Sequence, residues 1–358
     1  DTHKKTYVES PELLTKTNEL FGSDVHITVG LPPMVRLHGQ LTPLGEEPLT
    51  AADTEGFAKE ILGATKFKEY CEIGEYDIAY AIPGVARFRV NLYKDRGTHA
   101  IALRLITEGV PTLDGLRHPS ILKDLTKKRR GLVLVTGPTG SGKSTTLAAM
   151  IDEINSNRSE HIITLEDPIE YLHQHKKSIV NQREVGSDTQ SFNNALRAIL
   201  REDPDVILIG EMRDFETIQI ALTAAETGHL VFSTLHTIGA DKTIDRVIDV
   251  FPPHQQQQIR VQLAGVLQGI ISQQLMPTAD NKSRVAALEI MTITPAIQNL
   301  VREGKSHQII SSIQTGAKYG MKTMDMALAD LYKQRKITKE TALQYAVDKE
   351  VLKRMMIM

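Results

Sequence analysis

The glycine-rich segment at residues 137–144 constrains the fold more than any other part of the chain. It reads Gly-Pro-Thr-Gly-Ser-Gly-Lys-Ser, an apolar run at residues 132–135 precedes it, and a helical pattern follows at residues 145–154. Such a segment between a buried strand and a helix is typical of a phosphate-binding loop. The pattern therefore requires a strand whose carboxyl end meets the amino end of a helix, which is the building unit of an α/β sheet.

The chain alternates between strands and helices from residue 120 onward. Short apolar runs occur at residues 132–135, 162–165, 206–209 and 230–232, and helical stretches separate most of them. This alternation predicts a parallel sheet with helices on both faces. Beyond Pro252 we expect mostly helix, interrupted by an apolar run at residues 285–290, with Gly265 and Gly269 on one helix.

The first hundred residues show a different pattern. A helix is predicted from Ser10-Pro11 and another over residues 51–62, and apolar alternation predicts strands near residues 25–29 and 35–37. Three further alternating segments, with turns at Pro83-Gly84 and at residues 95–97, predict an antiparallel meander. We therefore predict an amino-terminal α+β domain at residues 1–107, a Gly/Pro-rich linker at 108–119, and an α/β domain with a helical carboxy-terminal part at 120–358.

Composition excludes several classes of protein. The 42 Lys and Arg residues against 44 Asp and Glu residues leave a net charge of −2, which argues against a strongly basic grip on nucleic acid. The single cysteine, Cys71, excludes an internal disulfide framework and a Cys₂ or Cys₄ zinc site. No window approaches 18 consecutive apolar residues, and the amino terminus is polar, so we expect a soluble, cytoplasmic protein.

The loop residues predict a nucleoside triphosphate with Mg²⁺ as the ligand. Backbone N–H groups of the loop and the helix amino terminus suit phosphate oxygens. Lys143 would place its charge at the β and γ phosphates, and the Ser144 hydroxyl would coordinate Mg²⁺. The expected phosphate-binding residues are Gly137, Pro138, Thr139, Gly140, Ser141, Gly142, Lys143, Ser144 and Thr145.

Acidic and histidine side chains follow the next strands. Glu170 lies in the acidic segment that follows the strand at residues 162–165, and Glu211 follows the strand at 206–209. Carboxylates at strand ends beside a phosphate loop can hold Mg²⁺ or orient water, although each alone could be a helix cap. His229 and His236 flank the fourth strand. We favour a γ-phosphate sensor over a metal pair because no third ligand stands nearby in sequence.

The chain resembles the secretion-type hexameric ATPases of type II secretion and type IV pilus systems. The resemblance extends from Ser23-Asp-Val-His-Ile27 to about Tyr332. Besides the phosphate loop, it rests on the acidic box Leu165-Glu-Asp-Pro-Ile-Glu170, on Leu196-Arg-Ala-Ile-Leu-Arg-Glu-Asp-Pro-Asp205, on Ile209-Gly-Glu-Met-Arg-Asp214, and on the histidine box from Thr227-Gly-His229 to Thr234-Leu-His236.

The resemblance implies a fold and specific roles. It implies a RecA-like ATPase core preceded by a PAS-like domain, assembled as a homo-hexamer that hydrolyses ATP. Glu211 matches the Walker B acid and Mg²⁺ ligand, and Glu170 matches the residue that polarises the attacking water. Arg89 and Arg104 match arginines that reach the nucleotide, and we expect His229 to contact the γ-phosphate with them.

Two features favour the pilus-retraction branch of this family over the assembly branch. Assembly ATPases have a longer amino-terminal region and a four-cysteine zinc element, whereas this chain has Cys71 alone. Residues 296–303, Ala-Ile-Gln-Asn-Leu-Val-Arg-Glu, resemble the retraction motif, except for Gln298 where the family usually has Arg and for the conservative Val301.

The retraction interpretation implies particular partners and a location. The partners would be an inner-membrane pilus platform protein and, indirectly, pilins, at the inner face of the cytoplasmic membrane. No nucleic acid is expected. The alternatives are a pilus-assembly or type II secretion ATPase, a nucleic-acid translocase on the same core, and a non-catalytic nucleotide-gated partner of another motor.

Overall fold

The computed structural model describes residues 10–19, 22–37, 40–82, 86–106 and 109–358. The chain divides into two compact units. The first comprises Asp1–Gly109 together with Glu170–Leu172, and the second comprises Val110–Ile169 together with His173–Met358. The predicted turn at Pro83-Gly84 and the predicted domain boundary at residue 107 lie outside the described residues.

The described part of the first unit contains a six-stranded antiparallel sheet and two helices. The strand order is β3-β2-β1-β6-β5-β4. The elements are α1 (Ser10–Glu19), β1 (Asp24–Ile27), β2 (Met34–Leu37), β3 (Gln40–Pro43), α2 (Ala51–Ile73), β4 (Glu75–Ile82), β5 (Ala86–Asp95) and β6 (Thr98–Ile106).

Alternation along β5 separates a buried face from an exposed face. Phe88, Val90 and Leu92 are buried in a core shared with α1 and α2, whereas Arg89 is exposed. The helix predicted over residues 51–62 is the first part of α2. Gly63, at φ +76°, interrupts it, and helical geometry then resumes as far as Ile73. A residue without Cβ adopts this left-handed conformation at little cost, so the chain bends there.

The second unit contains a seven-stranded sheet covered by helices. Its strand order is β13-β12-β7-β11-β10-β8-β9, and every neighbouring pair is parallel except β12 with β13. The strands are β7 (Gly131–Thr136), β8 (His161–Glu166), β9 (Ile179–Glu184), β10 (Val206–Ile209), β11 (Leu230–Leu235), β12 (Leu267–Pro277) and β13 (Arg284–Thr292). The predicted α/β fold with a largely parallel, helix-covered sheet is confirmed.

The helices of this unit follow the predicted rhythm. They are α3 (Ile121–Thr126), α4 (Lys143–Asn157), α5 (Phe192–Ile199), α6 (Phe215–Glu226), α7 (Ala240–Asp249), α8 (Pro253–Val266), α9 (Pro295–Arg302), α10 (Ile309–Gln314), α11 (Met324–Lys333), α12 (Lys339–Gln344) and α13 (Lys349–Met356). None of the helices in the described ranges has the length and apolar character that crossing a membrane requires.

Hydrophobic cores cover both faces of this sheet. Leu132 and Leu134 of β7 belong to one core cluster, and Val133 and Val135 belong to the other. A strand that is buried on both faces is apolar at every position. This is why β7 appears in the sequence as a continuous apolar run.

Two expectations for this region need correction, and one strand was not predicted. Residues 267–277 form β12 rather than helix, so Gly269 lies on a strand, where a Cβ would meet the Leu125 side chain at 3.0 Å. Strand β9 was not predicted. The segment predicted as a linker lies from Val110 onward in the second unit, because Leu113 is buried in a core with Leu122.

Candidate functional site

The glycine-rich loop joins β7 to α4 in the second unit. Gly137 and Gly142 have φ values of +149° and +88°, which residues with a Cβ rarely adopt. A Cβ at Gly137 would also lie 2.2 Å from the backbone oxygen of Gln273. No side chain caps the first turn of α4. The N–H groups there can therefore bind an anion at the positive end of the helix.

Lys143, His236 and Glu211 form a line at the carboxyl ends of three adjacent strands. Lys143 begins α4 after β7, His236 follows β11, and Glu211 closely follows β10. Lys143 Nζ lies 2.9 Å from His236 Nδ1, and His236 Nε2 lies 2.8 Å from Glu211 Oε1. The strand order β7-β11-β10 places the histidine between the lysine and the acid.

The partners of His236 indicate which of its ring nitrogens accepts and which donates a hydrogen bond. The Lys143 ammonium can only donate, so Nδ1 of His236 accepts, and its Nε2–H donates to the Glu211 carboxylate. Burial lowers the pKa of Lys143, and the negative charge of Glu211 opposes that effect. Lys143 also lies 3.4 Å from the backbone oxygen of Leu235. The loop lysine is therefore held by groups that a phosphate could replace.

Arg213 joins the two acidic strand ends, and sequence reasoning assigned it no role. Its Nη2 lies 2.9 Å from Asp167 Oδ2, and its Nε lies 3.7 Å from Glu211 Oε2. Its guanidinium stacks 4.5 Å from the centre of the Phe192 ring. One sequence signal could have identified Arg213: it lies two residues after Glu211, within the motif at residues 209–214.

Sequence reasoning also missed a hydrogen-bonded group beside the loop, formed by Gln273, Thr146 and His118. Gln273 of β12 donates from Nε2 to the backbone oxygen of Ser141 at 2.9 Å and accepts from the Thr146 hydroxyl at 2.6 Å. His118 Nε2 lies 2.9 Å from the same hydroxyl. No signal for Gln273 was recognised, because residues 267–277 were assigned to a helix.

Glu170 is assigned to a different unit of the chain from Lys143, His236 and Glu211. It is exposed and belongs, through Glu170–Leu172, to the first unit. The preceding residue, Ile169, is buried, and its N–H donates to Glu184 Oε1 at 3.0 Å. The bond to Glu184 holds the chain just before Glu170, and a role for Glu170 toward water stays a prediction.

The structure places His229 away from the phosphate loop of its own chain, and its contact with a γ-phosphate stays a prediction. His229 precedes β11, whose Leu230 pairs with Gly131 at the start of β7, whereas the loop follows Thr136, the partner of Leu235. At about 3.3 Å per residue, the strand separates His229 from the loop by roughly 20 Å. His229 Nδ1 instead lies 2.9 Å from the backbone oxygen of Ala224. The imidazole beside Lys143 belongs to His236.

Arg89 and Arg104 lie on the exposed face of the first unit's sheet. They are register partners on β5 and β6, and both are exposed. Asp24 pairs with Arg104 at 3.3 Å and with Arg36 at 3.4 Å. Like charges opposite each other on a sheet repel, so this face suits an anionic ligand.

The residues beside the loop have suitable chemistry for Mg²⁺. Ser144 is exposed in the first turn of α4, and it and Glu211 supply a hydroxyl and a carboxylate. In the described ranges, no three His, Cys, Asp or Glu side chains are grouped to hold a metal ion. Mg²⁺ usually takes one or two protein oxygens and completes its shell with phosphate and water, so this donor set fits.

Comparison with known proteins agrees with these features. A profile of the family described as Type II/IV secretion system protein matches residues 98–354. The Type IV pilus retractation ATPase PilT of Pseudomonas aeruginosa is 50% identical over 336 residues, which cover 94% of this chain and 97% of that protein. The Twitching motility protein of Neisseria gonorrhoeae is 49% identical over 318 residues, covering 89% of this chain and 85% of that protein.

A solved structure extends the similarity to the fold. The crystal structure of the pilus retraction motor PilT with bound ADP has a TM-score of 0.90 and 48% identity, and the match covers 98% of this chain and 100% of that one. The family resemblance inferred from the motifs is thereby confirmed. Since the profile covers more than half of the chain and the relatives match along most of their length, the chain belongs to the Type II/IV secretion system protein family.

Proposed function

We propose that this chain is the ATP-hydrolysing subunit of a ring motor that powers type IV pilus retraction. The observation that supports this most directly is the line of Lys143, His236 and Glu211 beside an intact phosphate loop. This arrangement joins a phosphate-binding cation to a strand-end carboxylate, as phosphoryl transfer to water requires. The similarity to retraction ATPases along nearly the whole chain favours retraction as the work performed.

Each loop residue has a defined task in this proposal. Backbone N–H groups of residues 139–145 surround the phosphates, and Lys143 neutralises the β and γ phosphate oxygens. Ser144 and Glu211 would hold Mg²⁺, which when bound would supply positive charge beside the transferred phosphoryl group. Glu170 orients the attacking water, and Arg89 and Arg104 stabilise the charge that develops on the phosphates.

His236 connects phosphate binding to the acid. When ATP enters, the Lys143 ammonium exchanges the imidazole nitrogen for phosphate oxygens, and His236 Nδ1 becomes free to accept another donor. The Nε2–H of His236 continues to orient the Glu211 carboxylate. Release of the nucleotide reverses this exchange, so the contact between Lys143 and His236 depends on whether the loop holds phosphate.

The proposal extends to assembly and location. Similarity to a pilus retraction motor supports a homo-oligomer, for which we propose six subunits. The ring would act on an inner-membrane platform protein, and through it on pilins, at the inner face of the cytoplasmic membrane. Nucleic acid has no part in this proposal, which accords with the net charge of −2.

The enzymatic part is tested with the purified full chain. We expect Glu211→Gln to lower ATP turnover at least about 100-fold, because the neutral amide holds Mg²⁺ poorly, while ADP still binds. Glu340→Gln, an exposed change on α12, serves as the matched control. Turnover at the wild-type rate in Glu211→Gln would refute the assignment.

The cellular part is tested by deleting the gene in the native host and counting surface pili together with surface motility. Retraction predicts more pili and lost motility. A bald cell would show that the protein assembles pili. Unchanged pili would count against a pilus motor, and DNA-stimulated turnover with salt-sensitive DNA binding would then favour a nucleic-acid translocase.

A further inference from the structure

Gln273 of β12 lies close to both ends of the phosphate loop, at Gly137 and at Gly142. Strand β12 runs parallel to β7, with Ser272 opposite Thr136, so Gln273 lies beside Gly137. A Cβ at Gly137 would lie 2.2 Å from the Gln273 backbone oxygen, and a Cβ at Gly142 would lie 2.7 Å from Gln273 Nε2. Gln273 itself is 3% exposed. It therefore occupies the space that the missing glycine side chains leave.

Only one assignment of donors and acceptors satisfies all the hydrogen bonds around Gln273. Its Nε2 must face the Ser141 carbonyl, which can only accept, and its Oε1 therefore faces Thr146. The single Thr146 hydroxyl hydrogen donates to that oxygen, so His118 must donate its Nε2–H to Thr146. Burial lowers the pKa of His118 to about 4. Near neutral pH, the imidazole is uncharged.

We infer that Gln273 is a positioning residue for phosphate binding. In a planar trans peptide, the C=O of one residue and the N–H of the next point in opposite directions. The bond from Gln273 turns the Ser141 carbonyl toward β12, and it thereby turns the Gly142 N–H away from β12 and toward the interior of the loop. Thr146 and His118 keep the Gln273 amide in the orientation that makes this bond.

This inference rests on the proposed function, and it explains what directs the Gly142 N–H toward the interior of the loop. The N–H groups of a phosphate loop are useful only if they point inward before the ligand arrives. The flexible glycines do not provide that orientation themselves, because glycine has many accessible backbone conformations. The buried Gln273 amide on β12 provides that orientation, because it holds the Ser141 carbonyl.

The test compares Gln273→Glu with Gln274→Glu in the full chain. Gln274 is the adjacent buried residue of β12, and its amide also donates to a backbone carbonyl, that of Tyr345, at 3.3 Å. Glutamate keeps the shape but loses the N–H donor. The dissociation constants of ADP and adenosine are measured for both variants by competition with a fluorescent ADP.

We expect Gln273→Glu to weaken ADP binding about tenfold, the effect of one lost charge-assisted hydrogen bond, and to leave adenosine binding unchanged. Gln274→Glu should change both constants less than about twofold. A purely structural defect would weaken ADP and adenosine together. Equal ADP affinity in Gln273→Glu and wild type, or equal losses in both variants, would overturn the inference.

Two further measurements keep the outcomes distinct. If Gln273→Glu fails to fold, Thr146→Val removes the hydroxyl that orients Gln273, and it should weaken ADP binding about threefold without affecting adenosine. Unchanged ADP binding in folded Thr146→Val would then count against the inference. If the wild-type chain binds no ADP, the proposed function fails, whereas normal wild-type binding with an unaffected Gln273→Glu refutes the positioning role alone.

Discussion

His236 Nε2 lies 2.8 Å from Glu211 Oε1, and this single hydrogen bond joins two strand ends of the sheet. The same imidazole accepts from the loop lysine through its other nitrogen. His236 therefore contacts both Lys143, the phosphate-binding cation, and Glu211, the acid. This relationship leads to the first prediction.

Replacing His236 by Phe should lower ATP turnover about tenfold to hundredfold, because the Glu211 carboxylate loses the hydrogen bond that His236 Nε2–H donates to it. The dissociation constant for ADP should change less than about threefold, since Lys143 remains free to bind phosphate. Steady-state ATPase assays and ADP titration measure these quantities. His254→Phe, an exposed change on α8, is the control. Wild-type turnover in His236→Phe would contradict the prediction.

Arg213→Lys tests whether the guanidinium fork, and not its charge alone, aligns the two acids. Lysine keeps the positive charge but cannot contact Asp167 and Glu211 with separate nitrogens of one rigid group. We expect turnover to fall about tenfold. Arg197→Lys is matched, because Arg197 forms an exposed pair with Glu216 at 2.5 Å. Equal effects of the two substitutions on the ATPase rate would show that the fork is dispensable.

Arg104→Ala should separate catalysis from stability. The Arg104 side chain is 71% exposed, so its pair with Asp24 contributes less than about 1 kcal/mol to the free energy of unfolding. If Arg104 stabilises charge on the nucleotide, ATP turnover should fall on the order of 10³-fold. Urea unfolding and ATPase assays test both statements. Lys59→Ala on α2 removes another exposed cation from the first unit and should leave turnover unaffected.

Acidification should destabilise the second unit through two partly buried histidines, His118 and His173. Burial lowers the pKa of His118 and of His173 to about 4, from an ordinary value of 6.5. Below about pH 6.5, the unfolded chain therefore takes up protons that the folded chain refuses, and stability is lost as pH falls toward 4. By about pH 5, each histidine should have lowered the free energy of unfolding by roughly 2 kcal/mol.

The measurement is urea unfolding of wild type and His173→Leu at about pH 7.5 and pH 5. The variant should lose roughly 2 kcal/mol less on acidification than wild type, whatever its stability at neutral pH. His307→Leu, a change at a histidine outside the buried core, should behave like wild type. The same pH dependence in His173→Leu and wild type would show that His173 does not titrate differently on folding.

Local sequence patterns predicted most of the elements around the site. The strand, the glycine loop and the helix around residues 137–144 are adjacent in the chain. Each can therefore be predicted from residues that are close together in the sequence. The buried apolar runs within β7, β8, β10 and β11 were recognised for the same reason. Strand β12 was not, because burial on both faces removes the period-two pattern and its polar residues resemble those of the helix before it.

The sequence by itself determined the phosphate loop, the acids at the strand ends and the family, because each depends on residues close together in the chain. Only the tertiary structure decided which distant side chains complete the site. It placed His236 beside Lys143, 93 residues earlier, and Gln273 beside Thr146, 127 residues earlier. It also placed His229 at the other end of β11. The physical reason is strand order: hydrogen bonding between non-consecutive strands brings these residues together, and no local pattern encodes that order.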